Sequence, residues 1–259
     1  KYWMRGEYMK KSSSVDMIHG PLTGKIIRFA LPIALSSMLQ QLFNAADTSV
    51  VGHFTDANAL AAVGTDGEIV ALLVTLASGL AVGANVLIAH MIGEGNVDGI
   101  QDAVHTSVLL ALIFGAAGMA AGWLSEEPLL AAIRTPAEIF TAAVLYLKIY
   151  YLGYPFLMLY NFGAAILRAN GDSRRPFLAL TLSGILNIIL NLFFVVICDL
   201  GVAGVAAATS ISPAFSAALV VFWLIREKGE FQLSVRRLQL HAKCARSVLM
   251  IGIPAAVQG

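Results

Sequence analysis

The chain is 259 residues long, 58% hydrophobic and only 13% charged, about half the charged fraction of an ordinary soluble domain. Its mean hydropathy is +0.77 and its formal net charge is +1. These values exclude a water-soluble globule, which has no way to bury so much apolar surface, and they supply no basic field for a nucleic-acid partner.

The first 25 residues are polar, with Lys10, Lys11, Ser12, Ser13, Ser14 and Asp16, and read as a cytoplasmic tail with no cleaved leader. A spanning helix needs about 20 mostly apolar residues, because the hydrocarbon core is about 30 Å thick. Six stretches within 26–225 are long enough: 26–51, 69–92, 103–124, 139–167, 177–198 and 201–225. A basic segment, 226–246, comes after them, and a seventh apolar run occupies 247–259. The expected fold is an all-α integral membrane protein, a six-helix bundle followed by the start of a seventh helix.

With six spans, the tail and the segments after the second, fourth and sixth helices share one side. Fifteen Lys and Arg residues fall there, among them Arg168, Arg174, Arg175, Arg236 and Arg237, against Arg134 alone on the other side. That asymmetry places the N-terminus and 226–246 in the cytoplasm of a cell membrane. Lys148 lies within the fourth span near its outer end, where a long side chain is expected to snorkel.

Polar groups inside the spans carry the functional expectation. In the first span Pro32 removes a backbone hydrogen bond, so a bend is expected there. Ser36, Gln40, Asn44 and Asp47 fall in a stripe roughly 80 degrees wide at helical spacing, expected to face the bundle interior or a wet cavity. Asp47 reads as the one acidic residue clearly inside a span, and a carboxylate there costs about 3 kcal/mol on insertion scales, which makes it a functional candidate. Gly79 and Gly83 suit close helix packing. The glycine-rich run Gly93-Glu94-Gly95-Asn96 lacks the strand and lysine of a phosphate loop and reads as a turn. Asn187 and Asn191 share a face of the fifth span and offer amide oxygens to a cation or to a neighbouring helix. Thr209, Ser210 and Ser212 precede Pro213 on the sixth, where hydrogen bonding between helices is the plainer reading. Cys198 and Cys244 form no metal-binding or redox spacing. In 226–246, Phe231, Leu233, Val235, Leu238 and Leu240 alternate with basic residues, a pattern expected to lie on an anionic membrane surface.

The start of the seventh run repeats the first. Phe29-Ala30-Leu31-Pro32 has its counterpart in Ile251-Gly252-Ile253-Pro254, each after a basic segment. A parallel repeat of this kind implies a second six-helix lobe.

The first span, reading PIALSSMLQQLFNAADTSVVGHF and followed by ALAAVGT, resembles the first helix of the multidrug and toxic compound extrusion (MATE) transporters. The similarity continues collinearly through SGLAVGANVLIAHMIGEGN, AILRANGDSRRPF, NIILN and GVAGVAAATSIS, nearly the whole chain from Gly20. The resemblance implies one lobe of a two-lobed, twelve-helix transporter that exports organic cations or amphiphiles by antiport with H+ or Na+. It implies no other cofactor and no enzymatic activity, and makes the remaining lobe the partner. On matched positions it implies that Asp47, Asn187, Asn191 and Thr209 take up the coupling cation, a possible Na+ site. Gln40, Asn44 and Asn161 would line the substrate cavity, and Pro32 would act as hinge. Asn191 departs from a position that is often aspartate in the family, which favours a proton on Asp47 as the simpler coupling device. A lipid or polyprenyl-precursor flippase of similar architecture is the alternative; it calls for more buried basic residues than Lys148.

Overall fold

The computed structural model describes residues 22–258, so the tail with Lys1, Arg5, Lys10 and Lys11 lies outside the described residues. Seven α-helices succeed one another: α1 Leu22–Phe54, α2 Ala57–Glu94, α3 Val97–Ala132, α4 Ala137–Ala169, α5 Arg174–Asn191, α6 Gly201–Arg226 and α7 Ala242–Gln258. A π-helical turn, Leu192–Ile197, extends α5, and one 3-10 turn, Val235–Arg237, lies in the segment before α7. Among the described residues there is no strand, as expected where every backbone group must be satisfied within its own segment.

Short connections make neighbouring helices run in opposite directions. The packed clusters show it: one joins the end of α1 (Val50, Val51), the start of α2 (Ala59, Ala62), the start of α4 (Tyr146, Leu147) and the start of α6 (Val202, Val205). The other joins the end of α2 (Ile88), the start of α3 (Ile100, Val104), the end of α4 (Ile166, Leu167) and the end of α6 (Val220, Leu224). These are the distal and proximal ends of the bundle. Helix α4 packs on α2, α3 and α6 and forms its axis. Small residues set the spacing: a Cβ on Gly115 would lie 2.6 Å from Pro155 Cα, and one on Gly153 2.7 Å from Ser210 Cα. Side chains such as Leu72, Ile113, Leu124, Leu152 and Phe222 remain exposed on the outside. Six helices long and apolar enough to cross a membrane, with an apolar outer surface, make this a multi-pass membrane protein.

Two helices are longer than their apolar windows. The expected second and third spans stop at charged residues, whereas the backbone keeps its helix through them. Asp56 caps α2, its carboxylate accepting from Ala59 N at 2.7 Å, and Asn96 caps α3 through Gly99 N at 3.0 Å. Gly95, at φ 69°, ends α2 in the left-handed region that its lack of a Cβ permits. The extension corrects one expectation: Asp47 is not the one acidic residue inside a span, because Asp66 lies within α2 and Glu126 within α3, both buried.

The Lys148 ammonium lies 3.2 Å from Glu126 and 3.8 Å from Glu127, so it pairs with carboxylates of α3. Those three residues, with Trp123 and Leu152, line an open cavity of about 670 Å3 on the outer α3–α4 face.

The segment after α6 also departs from expectation. Phe231 and Leu233 are buried in the proximal cluster, and Ser234 N donates to His105 Nε2 at 3.1 Å. His241 N donates to Thr106 Oγ1 at 3.1 Å. Val235 and Leu240 stay exposed. The apolar residues therefore hold the segment against the lobe, not all on a bilayer surface. Helix α7 crosses α2 where Gly79 and Gly83 leave no room for a side chain; Ala256 and the Val248 carbonyl fill that space. Close packing is thus the role of those two glycines.

Candidate functional site

Helix α1 meets α5 through Phe43, whose ring occupies the space a Cβ on Gly184 would take. One turn further on each helix, that register brings Asp47 opposite the asparagine pair. Asn191 Nδ2 donates to Asp47 Oδ1 at 2.6 Å and reaches Asn187 Oδ1 at 3.2 Å. The amide orientation follows from the partners, since a carboxylate only accepts. Asn187 and Asn191 are buried and Asp47 is half-buried. Asn191 Oδ1 then points into the protein with no hydrogen-bond partner among the described residues. A buried acceptor without a donor is costly, about 1 to 3 kcal/mol, and here it sits beside a carboxylate. The group is an oxygen-rich pocket with acceptors to spare, which suits a proton or a small hard cation.

The π-helical turn begins immediately after Asn191. Its Cys198 N–H reaches back to the Phe193 carbonyl at 3.0 Å. One extra residue per turn rotates the helix end beyond it, and such turns recur at functional sites. Across the pocket, Thr209 on α6 donates to its own helix at Val205 O, 2.9 Å away. Tyr146 of α4 lies close to both Thr209 and Asp47. Thr209 thus joins the Asp47 group through Tyr146, a residue that no motif or in-span charge singles out. The one signal for it in the sequence is a run of tyrosines at 146, 150, 151 and 154, in a helix otherwise suited to core packing.

The first-span stripe divides. Ser36 and Asp47 lie on the face that packs against the lobe, together with Leu39, Phe43 and Val50, while Gln40 and Asn44 are exposed on its flank. The lobe interior therefore does not receive the whole stripe. Pro32 lies inside α1, which stays helical through it, and the Pro32 carbonyl accepts from Ser36 Oγ at 2.8 Å. Asn161 is buried on α4 and donates to Leu157 O of its own helix at 2.9 Å; it is not a partner of the Asp47 group. Ser210 donates to Ile149 O at 2.7 Å and Ser183 to Ser212 O at 2.6 Å, which fixes α6 to α4 and α5. Among the described residues no group of three or more His, Cys, Asp or Glu is arranged to hold a metal ion.

The MatE family model matches residues 32–193. The chain is similar to a protein of Bacillus subtilis (strain 168) named "Probable multidrug resistance protein YpnP", 29% identical over 94% of this chain and 54% of that protein. Among solved structures, an outward-facing multidrug resistance MATE family transporter is 27% identical and superimposes with TM-score 0.88 over 96% of this chain and 55% of its own. An inward-facing structure superimposes with TM-score 0.78 over 88% of this chain and 53% of its own, at 26% identity. The chain spans about half the length of the relatives it matches.

Proposed function

The chain belongs to the MatE family of multidrug and toxic compound extrusion transporters, and from that premise we propose that it forms the N-terminal lobe of a secondary transporter exporting organic cations or amphiphiles. The coupling ion, H+ or Na+, is taken up at Asp47, Asn187 and Asn191, with Thr209 linked through Tyr146. The observation that supports this most is the Asn191 carbonyl oxygen left without a donor beside the Asp47 carboxylate. An apolar bundle retains such a group where something else completes it for part of the cycle.

The lobe sits in a cell membrane with the N-terminus and the 226–246 segment on the cytoplasmic side, and that segment joins it to the second lobe. Asp47 lies in the distal half, which this orientation makes the outer one. One negative charge is neutralised by one cation at a time, so the organic cation and the coupling ion compete for it. Coupling-ion binding from outside cancels the charge that holds the substrate and favours its release; loss of the ion to the cytoplasm resets the site. Alternating access follows if the two ligands differ in affinity for the outward and inward states. Pro32, near the start of α1 and well before Asp47, is the hinge. Exposed Gln40 and Asn44 face the substrate path between the lobes, and Asn161 bounds it from α4.

The test is efflux of a fluorescent organic cation from proteoliposomes holding the full-length protein, under imposed H+ or Na+ gradients. Efflux driven by one of the two gradients and abolished in Asp47→Asn supports the reading. Efflux that ignores both gradients, or ignores Asp47, overturns it.

A further inference from the structure

Ion coupling at Asp47 uses one carboxylate, yet the same cluster holds a second. Ala59, Ala62, Asp66 and Ile69 recur at helical spacing on one buried stripe of α2. The apolar members of that stripe pack in the distal cluster with Val50 and Val51 of α1, Tyr146 and Tyr150 of α4 and Val205 of α6. Asp66 lies between them at 0% exposure. Neither of its oxygens has a hydrogen-bond partner among the described residues. Glu126, the acid buried within α3, differs in being paired with Lys148, and buried Asp172 in being paired with Arg175.

A bare carboxylate in such surroundings costs several kcal/mol after all relaxation, so Asp66 needs a cation or a proton. No basic side chain among the described residues forms an ion pair with it. No acidic, histidine or cysteine set there completes a metal site, and its immediate neighbours along the stripe are alanines and isoleucine. A proton is the cation that fits. The titratable groups facing it are Tyr146 and Tyr151 from α4, each within electrostatic reach of Asp66. Tyr146 is likewise within reach of Asp47 of α1, and Tyr151 of Glu126 of α3. Helix α6 contributes the Thr209 hydroxyl near Tyr146. Helix α7 crosses α2 at Gly79 and Gly83, more than three turns away.

We propose that Asp66 is a second proton-carrying carboxylate of the lobe, binding and releasing one proton per transport cycle and coupled electrostatically to Asp47 across Tyr146. The step is simple addition of H+ to a carboxylate oxygen and its later return to water. Two negative charges in one apolar cluster oppose each other, so the two sites titrate as a pair. The lobe then moves two protons where Asp47 alone would move one. This inference rests on the reading of Asp47 as the coupling site, with H+ as its ion.

The test is infrared difference spectroscopy of the full-length protein in lipid, with isotope-labelled aspartate, between acid and alkaline buffer. Wild type shows two labelled carboxylic C=O bands that bleach. Asp66→Asn removes one, Asp47→Asn the other, and Asp66→Glu removes the labelled band while keeping the wild-type proton-to-substrate ratio. In a transport assay Asp66→Asn lowers the proton-to-substrate ratio to about half. An unchanged spectrum in Asp66→Asn overturns the proposal while leaving the Asp47 reading intact. A spectrum and efflux unchanged in Asp47→Asn, with the Asp66 band still lost in Asp66→Asn, overturns the Asp47 reading and with it the coupling between the sites.

Discussion

The two ends of the bundle differ in the polar groups they bury, although Ser107 Oγ and His241 Nδ1 at the proximal end also lack a hydrogen-bond partner among the described residues. At the proximal end His105 donates through Nδ1 to Gln101 O at 2.8 Å and accepts at Nε2 from Ser234 N. Thr106 serves His241 N in the same way. Asp172 caps the start of α5 through Arg174 N and Arg175 N and pairs with Arg175 Nε at 2.7 Å, and Arg175 continues to Glu227 beyond α6. Those groups are satisfied by protein alone and clamp the α4–α5 turn and the segment after α6 to the bundle. At the distal end Asn191 Oδ1, beside the Asp47 carboxylate, and both oxygens of Asp66 have no hydrogen-bond partner among the described residues. Buried polar groups that are satisfied specify structure; a carboxylate with neither oxygen paired, or an amide oxygen left open beside a carboxylate, is where a cation is expected to enter.

If that contrast is right, stability and transport respond to different residues. The largest functional effect is expected for Asp47→Asn, which lowers gradient-driven efflux more than about tenfold, the equivalent of about 1.4 kcal/mol or more. Thermal unfolding of the same detergent-solubilised protein stays at or above the wild-type temperature, because no buried charge loses a partner. Arg175→Ala inverts the pattern. Removing the cation beside Asp172, which is 1% exposed, costs about 3 kcal/mol or more, read as an early unfolding transition, while efflux per folded molecule is retained. A smaller loss, about 1 to 2 kcal/mol, is expected for Thr106→Val, which leaves His241 N without its acceptor. Faster tryptic cleavage at Arg236 and Arg237 reports it. The smallest effect is expected for Gln40→Ala on the exposed flank of α1, within about 0.5 kcal/mol of wild type in unfolding, with any change confined to substrate affinity.

Much of this is legible in the residues themselves. Helical spacing alone puts Asn187 and Asn191 on one face, and an acid in an apolar run singles out Asp47. Periodicity fixes angles within a helix, however, and not the direction in which its faces point. The contact of Phe43 with Gly184, two residues far apart in the chain, turns α1 so that Ser36 and Asp47 face inward and Gln40 and Asn44 do not. Hydropathy windows hide Asp66, because a charge near the end of an apolar run is read as the edge of the span, whereas the capped helix runs on through it. The π-helical turn after Asn191 has no mark in the run Leu192-Phe193-Phe194-Val195-Val196-Ile197, which suits an ordinary helix equally well. Between α6 and α7, alternation of apolar and basic residues is the same whether the apolar side meets lipid or the lobe; His105 and Thr106, far back in the chain, decide it.

The central claim is that the unsatisfied distal acceptors exchange an organic cation for the coupling ion. Mixing the purified full-length protein with an organic cation in weakly buffered solution, and following the pH together with displacement of labelled Na+, tests it most directly. The account predicts release of H+ or Na+ on binding in wild type and less in Asp47→Asn, by the ion that Asp47 holds. Equal release in both proteins, or binding with no ion released, would contradict it.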